Sequence, residues 1–169
     1  MTEEQANYRA ALIGAGRIGM GLEKDVMRLK PATHFGMWNS HPRVELVAVC
    51  DKEKMNLQEA RTMSPNIEVF ENAEEMLSQH RPEIVSIATW RDTHFDMMKL
   101  CAKYDVKAIV CEKPIAEDIQ DAKEIVSELR AKDVYLFINH RRRYDELLYP
   151  FINELEQGLI GEIIQVNCF

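Results

Sequence analysis

Gly14, Gly16 and Gly19, in the run Gly14-Ala15-Gly16-Arg17-Ile18-Gly19, have the spacing of a loop that receives a pyrophosphate. The run directly follows the apolar stretch Arg9 to Ile13, which reads as a strand, and that is the context the motif requires. Glycine at 14 permits a tight turn, Gly16 lets the backbone approach the phosphates, and Gly19 allows the next segment to pack closely on the strand. Free N–H groups along the loop, through Arg17 and Ile18, then face the anion. A merely structural turn would also favour glycine. The strand placed before it favours a dinucleotide.

Two roles fit Asp51, which ends the second apolar run. Its carboxylate can accept hydrogen bonds from both hydroxyls of an adenosine ribose and would repel a 2′-phosphate, which favours NAD. It can also cap a helix over Lys52 to Met63, and the nearby Lys52 and Lys54 leave NADP open. Further on, Cys111-Glu112-Lys113-Pro114 places two opposite charges at the end of another strand. A lysine there can polarise a carbonyl or bind a hydroxyl oxygen while hydride moves to or from a nicotinamide. The plain alternative is a solvated Glu-Lys ion pair. Pro114 keeps Lys113 out of helical geometry and permits a cis peptide.

The elements that must position these residues alternate along the chain. Arg9 to Ile13, Val44 to Cys50, Ile67 to Phe70, Glu83 to Ala88, Lys107 to Cys111 and Val134 to Ile138 read as six strands. Several are almost continuously apolar, which suits a parallel sheet covered on both faces. Glu117 to Lys132 carries Ile119, Ala122, Ile125, Val126 and Leu129 on one stripe, with acids opening it and bases closing it, and reads as a helix. Asp92 to about Lys103 carries a similar stripe. A last helical pattern through Leu147, Leu148, Phe151, Ile152 and Leu155 stops at Gly158, and Pro150 must lie in its first turn or kink it. The expected fold is α/β, a doubly wound parallel sheet whose ligand lies at the C-terminal strand ends.

Asp51 lies 32 positions after Gly19, against roughly 20 from the motif in compact versions. An insertion is implied. Gly21 to Ala32, with mixed charges and Pro31, reads as a loop, and the covering helix begins near Thr33.

Composition narrows the partners. The chain has 169 residues, 46% of them hydrophobic, and no apolar run approaches the roughly 20 residues of a membrane helix. A net charge of −7, with Arg141 to Arg143 the only tight basic cluster, argues against nucleic acid. The four cysteines form no CxxC pair and read as reduced thiols, which points to the cytoplasm. The five histidines are single and lack metal spacing, so no metal is expected and they read as surface or helix-start residues.

Taken in order, the glycine loop, Val49-Cys50-Asp51, Ala88-Thr89-Trp90 with His94, Glu112-Lys113-Pro114 and Asn139 to Asp145 resemble the Gfo/Idh/MocA oxidoreductases, named for glucose-fructose oxidoreductase, inositol dehydrogenase and a rhizopine-catabolism protein. The resemblance covers nearly the whole chain, and Glu112-Lys113-Pro114, matching the family's EKP motif, is its most specific part. It implies a Rossmann domain over residues 1–158 that binds NAD, or NADP, through Gly14, Gly16, Arg17, Ile18, Gly19, Asp51, Ala88, Thr89, Trp90, His94, Glu112, Lys113 and Arg143. It also implies that Lys113 is the catalytic lysine beside the nicotinamide, next to an often cis Lys-Pro bond. Arg143-Tyr144-Asp145 is similar to an Arg-Phe-Asp segment near the nicotinamide end. Trp90 departs from the family, which commonly has proline there.

The implied function is hydride transfer between nicotinamide and a sugar, cyclitol or related polyol, in a protein that can assemble as a homo-oligomer. The family's second, α+β domain, which supplies a proton-transferring histidine and aspartate, is expected to be absent apart from an opening strand over residues 159–169. Ile164, Val166 and Cys168 would alternate on that unpaired strand. The alternative function is a non-catalytic dinucleotide-binding or regulatory module that needs a partner.

Overall fold

Ala11 and Ile13 pack on one face of the central sheet and Leu12 on the other, and all three are buried. Strand side chains alternate between faces, so a strand apolar at every position needs cover on both. The computed structural model, which describes residues 7–145 and 148–167, supplies it. Six strands, β1 (Tyr8–Ile13), β2 (Val44–Cys50), β3 (Glu68–Phe70), β4 (Ile84–Ile87), β5 (Ala108–Cys111) and β6 (Tyr135–Ile138), form one parallel sheet in the order β3-β2-β1-β4-β5-β6. This is the doubly wound order, with its switch point between β1 and β4.

Helices α1 (His34–Ser40) and α2 (Lys54–Met63) cover one face, where Phe35 and Ala60 meet Leu12 and Val49. The other face carries α3 (Ala73–His80), α4 (His94–Lys103) and α5 (Ile119–Ala131), whose Met76, Leu77, Met98, Cys101, Ile125 and Leu129 pack with Ile13, Ile87 and Ile109. Each such fully buried Leu, Ile or Met contributes about 2 kcal/mol by leaving water. Met76 and Met98 are packing residues here.

All six expected strands form, with ends shifted by at most one residue. The helix expected from Glu117 starts two residues later because the Asp118 side chain caps it, accepting the Gln120 N–H at 2.6 Å. Helix α3 carries only a weak signal in the sequence. Its buried stripe is only Met76 and Leu77 beside His80, and its start is set by Asn72, which accepts the Glu75 N–H at 3.0 Å.

The insertion is a loop, as expected, with one 3-10 turn at Gly21–Lys24. Lys30 Nζ ties it together by donating to the carbonyls of Leu22, Glu23 and Asp25. The Glu23 carboxylate accepts from the Ala32 N–H (3.0 Å) and the Thr33 hydroxyl (2.6 Å), and Thr33 caps α1. The loop therefore hands the chain over to α1 in a defined place.

Internal packing groups the chain into residues 1–139, which hold the sheet, and residues 140–169. The second group contains a 3-10 turn at Arg141–Tyr144 and helix α6 (Leu148–Glu156). Pro150 occupies the first turn of α6, where its missing N–H costs no bond. Gly158, at a φ of 77°, ends the helix: its N–H reaches the Leu155 carbonyl and the Leu159 N–H reaches that of Glu154. Residues 161–167, expected to open a strand, are in neither helix nor strand and pair with no strand among the described residues. Cys168 and Phe169 lie outside the described residues. No described helix is long and apolar enough to cross a membrane.

Candidate cofactor and catalytic site

Gly14 follows β1 at the switch point with a φ of 96°. A Cβ there would stand 2.6 Å from the Ala88 carbonyl carbon, and one at Gly19 would stand 2.0 Å from the Gly14 carbonyl oxygen. Both positions are closed to any side chain. Gly16 differs, since a Cβ there meets nothing within 4 Å. Glycine at 16 is thus not required by packing, and its open side is where a bound group could come close. Among the described residues, the N–H groups of Gly16, Arg17, Ile18 and Gly19 have no internal acceptor, whereas those of Gly14, Ala15 and Met20 do. Four unengaged amides around open space fit a pyrophosphate.

Asp51 ends β2 beside this loop. Its Oδ2 accepts from the Ala15 N–H at 2.7 Å and from Asn56 Nδ2 at 3.1 Å, and its Oδ1 accepts from the Glu53 N–H at 2.8 Å. The last contact is a local turn two residues long, and the N-cap position of α2 falls on Glu53. Asp51 therefore serves the turn before the helix and not its cap. Three donors fill three of roughly four acceptor positions on a carboxylate, which leaves one on Oδ1 for a ribose hydroxyl. Burial and the Asp51 charge push the neighbouring Cys50 thiol up to about 12, so it stays protonated.

Glu112 and Lys113 leave β5 at the carboxyl edge, joined to Pro114 by a cis peptide. They do not form a solvated pair. Glu112 is buried, and its Oε1 accepts from His34 Nε2 (3.1 Å) and Asn139 Nδ2 (2.6 Å). Burial alone would raise its pKa, but these two hydrogen bonds hold it below the usual carboxylate range. Lys113 is exposed, and among the described residues its ammonium has no ion-pair or hydrogen-bond partner. The site thus presents an unpaired cation.

Ala88 and Thr89 run from the end of β4 against Gly14. Trp90 is 79% exposed and, with Arg91, Asp92 and Glu117, lines an open recess of about 500 Å³. His94 is 1% exposed; its Nδ1 lies 2.7 Å from the Pro114 carbonyl oxygen and its Nε2 3.2 Å from that of Thr89. It staples the loop after β4 to the loop after β5. The 1–139 unit thus brings together Gly14 to Gly19 with Ala88, Thr89 and Asp51, and joins Thr89 through His94 to the loop of Glu112 and Lys113. Arg143 is exposed in the second unit.

Little in the local sequence marks His34, Ser86, Trp38 or Asn139 as partners of Glu112 or of one another. His34 and His94 both begin helices, as expected of the histidines, but both are buried. The one signal for His34's partner was Ser86, a lone hydroxyl within an apolar strand.

Sheet order, switch point and an amide-lined glycine loop define a dinucleotide-binding α/β domain. Residues 8–140 match the GFO_IDH_MocA family, described as an oxidoreductase family with an NAD-binding Rossmann fold. The chain belongs to that family, and residues 8–140 are its NAD-binding domain. It is 27% identical over 154 residues to a D-apiose dehydrogenase of Paraburkholderia graminis, covering 91% of this chain and 38% of that protein. It is 31% identical to an inositol 2-dehydrogenase of Rhizobium meliloti, covering 94% and 44%. Among solved structures, the WlbA dehydrogenase of Bordetella pertussis, in complex with NADH and UDP-GlcNAcA, matches with a TM-score of 0.79 and 28% identity, over 94% of this chain and 42% of that one. The chain thus spans about two fifths of the length of the relatives it matches.

Two substitutions separate packing from binding and charge from shape. Gly16→Ala is expected to keep unfolding free energy within about 1 kcal/mol of wild type, while weakening NADH binding roughly tenfold or more; chemical denaturation and tryptophan-to-NADH energy transfer measure the two. Glu112 has a lowered folded-state pKa, so its contribution is fully present above the unfolded carboxyl value of about 4.3 and is lost as pH falls through the lower folded value. Glu112→Gln should therefore cost about 1–2 kcal/mol at pH 7. That cost should shrink below about pH 4 in melting curves taken across the range.

Proposed function

We propose that this chain is the cofactor-binding part of an NAD-dependent oxidoreductase acting on a sugar, cyclitol or related polyol. The observation that carries the reading is the unpaired Lys113 ammonium at the carboxyl edge of a sheet whose glycine loop is built for a dinucleotide. NAD, when bound, accepts or returns hydride at its nicotinamide C4.

The chain's own residues divide the remaining work. The amides of Gly16, Arg17, Ile18 and Gly19 hold the pyrophosphate, and the free acceptor position on Asp51 Oδ1 takes an adenosine ribose hydroxyl. The same charge disfavours a 2′-phosphate, which selects NAD over NADP. Ala88, Thr89 and Trp90 border the cofactor from the loop after β4, and His94 fixes that loop against the lysine loop. Lys113 binds the oxygen of the reacting carbon and offsets negative charge as it develops there. Glu112 stays anionic but turned away, so it does not neutralise the lysine.

The substrate class rests on the relatives, which are named for apiose and inositol. A cytoplasmic setting suits the buried free thiols of Cys50, Cys101 and Cys111, and the family resemblance supports a homo-oligomer. In the whole protein, with inositol and apiose as probe substrates and NADH absorbance as readout, Lys113→Ala is expected to lower kcat by about 10²–10⁴, with NADH affinity changed less than about twofold. An unchanged kcat would remove Lys113 from the reaction.

A further inference from the structure

His34 is 3% exposed and joins the two halves of the site. Its backbone N–H donates to the Ile18 carbonyl at 3.3 Å, and the next N–H, of Phe35, donates to that of Gly19 at 2.9 Å. The residue hangs on the glycine loop by its main chain. Its ring points at Glu112, the neighbour of Lys113.

The hydrogen positions along this chain follow from what each group can do. An indole N–H only donates, so Trp38 Nε1 gives its hydrogen to Ser86 Oγ at 2.7 Å. The Ser86 hydroxyl hydrogen is then free to reach His34 Nδ1 at 3.1 Å. That places the ring hydrogen on Nε2, which donates to Glu112 Oε1 at 3.1 Å, beside the Asn139 donor. Trp38, Ser86, His34, Glu112 and Asn139 thus form one directed network with each named donor and acceptor used. Its effect falls on Lys113. Glu112 and Lys113 are adjacent in the bend that follows β5, so a Glu112 fixed inward fixes the backbone from which the Lys113 side chain leaves at the carboxyl edge. Lys113 is in fact exposed, and Glu112 buried.

We propose that His34 is a positioning residue: by holding Glu112 inward it orients Lys113 toward the bound cofactor and substrate. This rests on the catalytic reading of Lys113 given above. A buried histidine that merely fills space would make no distinction between its two nitrogens. The proposal does, because only Nε2 holds Glu112.

The amide nitrogen of glutamine can stand where Nε2 stands, and that of asparagine where Nδ1 stands. The test uses the 169-residue chain and needs no turnover. Trace acetylation by acetic anhydride is read at Lys113 by mass spectrometry with and without saturating NADH, and NADH affinity is read by energy transfer from tryptophan. In the wild type, NADH is expected to protect Lys113 about tenfold. His34→Gln should keep that protection within about twofold. His34→Asn should reduce it below about twofold while NADH affinity stays within about threefold of wild type.

Should His34→Asn fail to fold, Asn139→Ala loosens the same Glu112 oxygen from the other side and should also lower the protection. Equal protection in His34→Asn and wild type, equal loss in the Gln and Asn variants, or undiminished protection in Asn139→Ala would overturn the proposal while leaving the catalytic reading standing. A wild type that binds NADH without any protection of Lys113 would overturn both, since the lysine would then not lie at the cofactor.

Discussion

A methyl group at Gly19 would lie 2.0 Å from the Gly14 carbonyl oxygen, and one at Gly14 would lie within 2.8 Å of three backbone atoms of Ala88 and Thr89. The chain leaving β1 is pressed between its own return and the exit of β4, so closely that only hydrogen fits on either Cα. This close approach sets up the rest. It bends the loop so that four successive amides have no acceptor among the described residues, and it places them at the point where strand order reverses. It also brings Asp51, at the end of β2, within 2.7 Å of the Ala15 N–H. A side chain at either glycine would displace the loop from the sheet and misalign all of these together.

Charge is distributed around that loop with similar economy. Asp51 and Glu112 stand at strand ends, and both are largely committed to the protein: Asp51 to Ala15, Glu53 and Asn56, and Glu112 to His34 and Asn139. A buried carboxylate holds its charge only if hydrogen bonds replace the lost water. For Glu112 they do more than that, since its pKa lies below the ordinary range despite burial. The cation next to it is left unpaired as a result. An exposed lysine without a partner gains little for stability, which is why its placement at the ligand edge points to chemistry.

The fold was legible because its signals are local. A strand such as Leu46-Val47-Ala48-Val49-Cys50 needs cover on both faces, and the glycine run needs a strand before it; the structure supplies both. Helix α3 escaped because two buried residues, Met76 and Leu77, make too short a stripe to stand out. The glycine loop, Asp51 and Glu112-Lys113 were legible as residue types at particular strand ends. The partners of Glu112 were not, since His34 lies 78 positions away in the sequence, and nothing local distinguishes a histidine that starts a helix from one that holds a carboxylate. Whether Glu112 pairs with Lys113 or with something else is a question of tertiary packing, and sequence neighbours gave the less informative answer.

If the unengaged amides of Gly16, Arg17, Ile18 and Gly19 receive a dinucleotide, each must sense its arrival. Amide nitrogen-proton correlation spectra of the labelled chain, recorded through a titration with NAD, read those groups one by one. Saturable shifts are expected at these four amides and at Ala15, with the amides of α3 and of the far end of β6 unmoved. Saturable shifts elsewhere with these four unchanged, or no shifts at saturating concentrations, would contradict binding by this loop.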